Sequence, residues 1–286
     1  MPNFSKYISI NDPAAAKLRL PGYLPTASLS GGRFPGCLAA EGGFLTESFE
    51  NAAPLTCAGT AFLYMFVGSD RANPESLNAQ IEFQVEGETV TLAKTTSVYV
   101  PANAPHRIKA VSGLAHPIIF IRLAATGGEF EETAAESPEL QDGAYVWGSQ
   151  DGYVPPDGRY PEAPEGFLRL LLYSGSHRIP GAPYCELMWF LTKNDTGPAP
   201  HTHEFPEIIG FFGSDAKAPD TLGANVRFYF GEEYAAIDKP ALICIPAGIN
   251  HAPIIVPEMN TPIIHFSASG AVSYVKDGAE DNFFTV

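Results

Sequence analysis

Hydrophobic and polar positions alternate with a period of two in two well-separated stretches, AQIEFQV at residues 79–85 and ANVRFYF at 224–230. Aromatic and β-branched residues fill their apolar positions, so each predicts a half-buried strand. ALICIPAG, from Ala241, is an apolar strand stopped by Pro-Ala-Gly, where Gly248 can take the positive φ that a tight turn requires. TPIIHFSAS, from Thr261, is a further strand, its apolar run broken by His265. Long, well-capped stretches of 3.6-residue periodicity are missing, so the pattern predicts an all-β chain.

The pattern also occurs twice. At an offset of 145 residues, FVGSDRANPESLNAQIEFQV from Phe66 falls on FFGSDAKAPDTLGANVRFYF from Phe211 without a gap. The same offset carries YVPANAPH, ending at His106, onto CIPAGINH, ending at His251. It also carries HPIIF from His116 onto TPIIH from Thr261, Pro35-Gly36 onto Pro180-Gly181, and Phe44 onto Trp189. A fixed spacing across turns and strands marks a duplicated domain. The predicted organisation is an N-terminal arm at 1–34, a first copy at 35–125, a connector at 126–165 and a second copy at 166–286. The connector is acidic at first (GGEFEETAAESPEL), then rich in Gly, Pro and Tyr, and is expected to run over the surface.

Composition narrows the partners. The 286 residues are 45% apolar and 17% charged, with 27 Gly and 26 Pro to supply turns. A formal charge of -15 argues against nucleic acid and against an anionic membrane, because both would be repelled. A small anionic substrate feels the local field of a pocket instead. No apolar run reaches membrane-spanning length, and MPNFSKYISINDP lacks the basic head and apolar core of a secretion signal, so a cytoplasmic location is expected. Cys37, Cys57, Cys185 and Cys244 form no Cys-x-x-Cys pair and are expected to be buried free thiols. FVGSD and FFGSD lack the glycine pattern of a nucleotide cradle and read as turns.

Chemistry concentrates in HTHEFPE. On a strand, His201 and His203 point to one side, and Glu207 shares their parity. His251 follows the Pro-Ala-Gly turn, from which a neighbouring strand could deliver it. Three imidazoles and a carboxylate suit Fe(II), Mn(II), Ni(II) or Zn(II) and leave coordination positions open. A surface histidine with an ordinary hydrogen bond is the plainer reading of any one of them. Glu204 has the opposite parity and is not assigned to a metal.

His-x-His-x3-Glu followed by Pro-x-Gly-x2-His is similar to the two motifs of the cupin family: His201, His203 and Glu207, then Pro246 to His251. With the duplication, the chain resembles a bicupin over nearly all its length apart from the arm and the connector. The resemblance implies two tandem double-stranded β-helix (jelly-roll) barrels, and it leaves the reaction open, since cupins include dioxygenases, decarboxylases, isomerases, lyases and storage proteins. Gly213 stands where the family's first motif has its glycine. The asparagine usual after the last histidine is replaced by Ala252.

The first copy acts as a control. His201 corresponds to Thr56, His203 to Ala58 and Glu207 to Phe62, while His251 alone keeps its counterpart, His106. One divalent ion per chain is therefore expected, with Fe(II) favoured. The first copy would be structural, covering a face of the second or taking part in a homodimer. Met188, Phe190 and Phe211 are candidate pocket residues, with core packing as their alternative. Arg227 and Tyr229 are candidate substrate contacts, and Arg227 could clamp a carboxylate. His265, where the first copy has Phe120, is the candidate proton-transfer residue, with a core histidine bonded to a backbone carbonyl as the alternative. The expected function is a metal-dependent enzyme on a small oxygen-bearing molecule, a non-haem Fe(II) dioxygenase-like oxidoreductase. The alternatives are a redox-neutral isomerase or lyase with an enediolate-type intermediate, and a non-catalytic binding or sensor protein.

Overall fold

The computed structural model describes residues 4–31, 36–51, 53–124, 129–135, 164–175, 181–270 and 283–285. Most of the connector, and both prolines of the Pro35/Pro180 repeat pair, lie outside them. The described chain is all-β, with a single 3-10 turn at Ser5–Tyr7.

The duplication is visible in strand order. One sheet runs Tyr23–Leu29, Ala40–Leu45, Ile118–Ala124, Phe62–Gly68, Thr96–Val100. Its counterpart runs Leu168–Ser174, Tyr184–Phe190, Ile263–Ser269, Glu207–Gly213, Ala241–Ile245 and gains Ile8–Ile10 at the far edge. Each of these sheets faces a second one: in the N-terminal half it runs Glu132–Ala134, Thr56–Ala58, His106–Ser112, Ser76–Val85, Glu88–Lys94, with Phe49–Glu50 also on His106–Ser112, and in the C-terminal half it has three strands, Glu233–Ile237, Ala224–Phe230, Ile254–Met259. Among the described residues no sheet closes on itself into a ring of paired strands; each half is two facing sheets.

Three apolar cores follow. Phe62, Phe66, Phe83 and Phe120 belong to one inside the N-terminal half, and Met188, Phe211, Val226 and Phe228 to one inside the C-terminal half. The third lies between the halves, where Leu63, Met65 and Ile121 meet Leu187, Trp189 and Phe212. Gly42 permits this approach: a Cβ there would stand 2.6 Å from Phe212 Cζ. Four of the five strands that line up in each of these sheets are thus buried throughout, while the edge strands Tyr23–Leu29 and Leu168–Ser174 are partly exposed.

Two further ranges hold strands, and one expectation is corrected. The N-terminal arm is part of the sheets: Ile8–Ile10 pairs with Ala241–Ile245, which extends the C-terminal sheet, and Tyr23–Leu29 pairs with Ala40–Leu45. Within the connector range, Glu132–Ala134 pairs with Thr56–Ala58, and Phe130 is buried in the N-terminal core. Cys37 and Cys244 are disulfide-bonded, with Cα atoms 6.1 Å apart across a separation of 207 residues. Packing of the two large sheets brings them together, which no local pattern could indicate. Cys57 and Cys185 are thiols.

The N-terminal half carries a buried ionic cluster. Arg122 Nε donates to Glu41 Oε1 at 2.6 Å, and Nη1 donates to Glu132 Oε2 at 2.7 Å. Backbone N–H groups of Lys17 and Leu18 donate to the same Glu41 carboxylate. Burial works against the guanidinium charge, but Glu41, Tyr64 and Glu132 outweigh it and hold Arg122 protonated. Removing one member of such a buried pair strands the other. Arg122→Met is therefore expected to cost about 3–5 kcal/mol in denaturant unfolding, while Lys109→Ala, which breaks the partly exposed pair with Glu82, costs about 1 kcal/mol or less; equal losses would refute the role given to the cluster.

Candidate metal centre

Backbone pairing, not strand alternation, brings the two motifs together. His201 and His251 form an isolated antiparallel bridge, each N–H donating to the other's carbonyl at 3.0 Å. Gly248 N–H donates to His203 O at 2.8 Å, and Gly248 adopts φ +75°, the conformation anticipated for its turn. His203 lies between that bridge and Glu207, the first residue of the Glu207–Gly213 strand.

All four candidate ligands are buried. Each of the three histidines offers a ring nitrogen, and these lie within 4.8 Å of one another. Glu207 Oε2 stands 3.4 Å from His203 Nε2 and 3.0 Å from His251 Nε2. Ring orientation is fixed from behind. A carbonyl can only accept, so His201 Nδ1–H donates to Ala199 O at 2.7 Å and His251 Nδ1–H to Ile249 O at 2.9 Å. That leaves the Nε2 lone pairs turned away from the backbone, the tautomer a metal requires. Burial alone would raise the Glu207 carboxyl, but without a metal the His203 and His251 rings, turned to it with an Nε2–H, outweigh this and hold the group well below the usual carboxylate range; a bound cation would take the place of those protons and leave the rings neutral. Ser267 Oγ donates to Glu207 Oε1. Neutral imidazoles, an ionised carboxylate and backbone-anchored Nδ1 atoms together fit a divalent cation.

The site opens into a pocket. Beside His201, His251 and Glu207 stand Glu186, His265 and Ser267. Phe167, Met188, Phe190, Ile209, Phe228 and Ile254 form the apolar wall. The inward face of the Tyr184–Phe190 strand is therefore the Glu186, Met188, Phe190 series; Leu187 and Trp189 face the neighbouring half.

No family model matches the chain, and no curated protein matches it. Among solved structures it is similar to oxalate decarboxylase. A structure from work on a reaction-specificity switch in that enzyme aligns with a TM-score of 0.53 at 10% identity, over 87% of this chain and 73% of the other. A mutant of the Bacillus subtilis enzyme aligns at 0.53 and 11%, over 87% and 74%. A structure tied to the Mn(II) centres of the same enzyme aligns at 0.52 and 11%, over 87% and 74%. The chain has the bicupin fold.

Within this fold several candidate residues stand elsewhere than expected. Arg227 is exposed, with its guanidinium 5.2 Å from the Tyr234 ring centre. Tyr229 shares that outward face, 5.2 Å from the same ring, and Phe228 is the residue of that strand that enters the pocket. Successive residues of a strand face opposite sides, so with Phe228 at the pocket Arg227 and Tyr229 lie on the other face, beside Tyr234 of the paired strand Glu233–Ile237. Phe211 is fully buried behind His265, ring centres 5.0 Å apart, and is not at the pocket surface. Glu204 is exposed. Sequence reasoning left Glu186 without a role; the signal was its repeat partner Glu41, a carboxylate kept at the same position in both halves.

The equivalent position in the N-terminal half is built differently. His106 Nδ1–H donates to Ala104 O at 2.9 Å, as His251 does to its own carbonyl, but its Nε2 meets the Tyr64 hydroxyl at 2.8 Å. Phe62 replaces Glu207, and the Arg122 guanidinium lies over that ring at 5.5 Å. Among the described residues, the three-histidine cluster of the C-terminal half is the one group of three or more possible ligands within mutual reach.

His265 stacks between Phe190 and Phe211 and directs Nδ1–H to Gly210 O at 3.3 Å. Burial pushes its pKa down to about 4, against smaller upward pulls from Glu207 and the Gly210 carbonyl. The folded protein keeps this ring neutral while the unfolded chain, with an ordinary histidine pKa near 6.5, takes up a proton. Stability therefore falls as pH drops from about 6.5 to about 4, by about 3 kcal/mol from this residue alone. In metal-free protein, His265→Phe, the first-copy residue, is expected to flatten the fall in melting temperature over that window. An unchanged slope would refute the burial of a neutral ring.

Proposed function

We propose that the C-terminal half holds one divalent metal through His201, His203, Glu207 and His251, and that the protein is a redox-neutral lyase or isomerase acting on a small oxygen-bearing molecule. The carrying observation is the convergence of three buried imidazoles, two of them with Nδ1 tied to backbone carbonyls, on one buried carboxylate at the floor of a pocket. Bound there, the ion would supply Lewis-acid polarisation of a substrate oxygen and stabilise the negative charge that develops on it.

The chain's own residues supply the rest. His265, neutral and with Nδ1–H engaged by Gly210, offers Nε2 as a proton acceptor beside the ligands. Glu186 gives the pocket a second carboxyl group, oriented by the Tyr184 hydroxyl. The apolar wall excludes water from the substrate. Two proton-handling groups next to the metal position favour proton transfer over oxygen chemistry. Likeness of fold to oxalate decarboxylase, whose Bacillus subtilis form contains Mn(II) centres, supports Mn(II) over Fe(II) and the lyase over the oxygenase. The aromatic lining, with Phe167 and Phe190 rings 4.6 Å apart, is the one feature that favours the Fe(II) dioxygenase reading.

In this reading the N-terminal half carries no metal, because the Tyr64 hydroxyl and the Arg122 cation take the space and the charge that an ion would need. Each half would then be a jelly roll, with the first covering the outer face of the second.

Protein purified without oxygen and reconstituted with Mn(II) or Fe(II) is expected to bind one ion per chain. It should turn over 2-hydroxy, 2-keto or enol substrates without oxygen uptake. Turnover that consumes oxygen stoichiometrically would replace the lyase by the dioxygenase. His203→Ala is expected to reduce bound metal to a small fraction of one per chain, and acidification should release it as the imidazoles protonate. Full metal content in that variant would refute the ligand set.

A further inference from the structure

Ser267 stands on a strand that leaves little room for an idle hydroxyl. Every residue of Ile263–Ser269 is buried, and Ser267 itself is 6% exposed. Ile264, Phe266 and Ala268 enter the core shared by the two halves, so His265 and Ser267 are turned the other way and line the pocket. A hydroxyl taken out of water at such a position costs free energy unless an acceptor meets it. The Glu207 carboxylate does so, with Ser267 Oγ donating to Oε1.

The two oxygens of Glu207 are thereby given different surroundings. Oε1 is engaged by the wall strand, whereas Oε2 is the oxygen 3.4 Å from His203 Nε2 and 3.0 Å from His251 Nε2. The glutamate side chain does not make that choice by itself. Its last torsion is broad and two-fold, and presents either oxygen with little preference. Glu207 also begins its strand, and the register partner of Ser267 there is Ile209, two residues further on. The hydroxyl therefore ties the carboxylate to a strand that bears none of the four candidate ligands. In the first copy the equivalent residue, Arg122, likewise donates to an interior carboxylate, that of Glu41.

We propose that Ser267 is a positioning residue, whose hydroxyl holds Glu207 so that Oε2 is presented to the metal and Oε1 is withheld from it. Carboxylates bind metal ions through one oxygen or through both. Glu207 offering both would take a further coordination position, which a substrate oxygen or water would otherwise use. The inference rests on the metal-centre reading above and adds to it the group that keeps that position open.

The test compares wild type, Ser267→Ala and Ser267→Thr, each stripped of metal and then titrated with Mn(II) with no substrate present. Metal-free Ser267→Ala is expected to melt cooperatively and close to wild type. It should bind Mn(II) about tenfold or more weakly, the usual effect of removing a hydrogen bond behind a ligand. Its Mn(II) electron paramagnetic resonance spectrum should change in zero-field splitting. Line broadening by isotope-labelled water should fall, as the released oxygen displaces a bound water. Ser267→Thr keeps the hydroxyl and should return affinity and spectrum towards wild type.

A serine that served only to contact substrate would leave all of these readouts unchanged. Wild-type affinity and spectrum in Ser267→Ala would therefore overturn the positioning role and leave the metal centre standing. Ser267→Thr as far from wild type as Ser267→Ala would overturn the part given to the hydroxyl. A Ser267→Ala protein that no longer folds would make the hydroxyl a folding requirement and overturn the proposal. Wild type that takes up no Mn(II) would overturn the metal centre and this inference with it.

Discussion

Both faces of the Tyr184–Phe190 strand are buried, and what covers one face decides what the other can do. Cys185, Leu187 and Trp189 pack into the core shared by the two halves. Strand geometry then turns Glu186, Met188 and Phe190 the opposite way, into the pocket. The same division applies to Glu207–Gly213, where Ile208 and Phe212 face the shared core and Glu207 and Ile209 face the site. A one-residue slip in either strand would put a carboxylate into the apolar interface and a large apolar side chain against the ligands. Contact between two homologous sheets therefore fixes the register on which the whole site depends. The first half does more than cover a surface.

The two copies solve one electrostatic problem in different ways. Carboxylates recur at Glu41 and Glu186, and a histidine anchored through Nδ1 recurs at His106 and His251. In the first copy the compensating cation is covalent, Arg122 donating to Glu41 and Glu132. In the second, Ser267 occupies the position of Arg122 and Glu207 that of Phe62, so the equivalent volume holds acceptors and lone pairs. The candidate ligand Glu207 and Ser267 thus stand where the first copy has Phe62 and the Arg122 cation. A guanidinium and a divalent ion in the same small volume would repel one another strongly at low dielectric.

Much of this was legible because the duplication is a sequence fact and because four metal-compatible residues fall in two spaced motifs. The all-β class followed from alternation at 79–85 and 224–230, and the ligand cluster from HTHEFPE with His251. The losses have physical causes. Tyr184–Phe190 and Glu207–Gly213 are buried throughout, so their hydrophobicity carries no period from which to choose a face. Arg227 and Tyr229 were placed by type, yet the alternation that made their strand recognisable, with Val226 and Phe228 apolar, already implied that the other parity faces outward. The pairing of Ile8–Ile10 with Ala241–Ile245, and of Cys37 with Cys244, joins residues more than two hundred apart; pattern within a window cannot reach them.

Those long-range connections bear on the site through a single strand. Ala241–Ile245 lies between Ile8–Ile10 and the ligand-bearing Glu207–Gly213 strand, and Ile245 is the register partner of Glu207. It also carries Cys244, bonded to Cys37 of the first half, and runs directly into the Pro246-Ala247-Gly248 turn that precedes His251. The strand is thus held on one edge by the N-terminal segment, on the other by the strand carrying Glu207, and on its outer face by a covalent link. Two of the four candidate ligands, Glu207 and His251, are positioned relative to it, one alongside and one beyond its end. Ligand distances of a few ångströms depend on such shared supports, because imidazoles on separately mobile loops would not keep their lone pairs convergent.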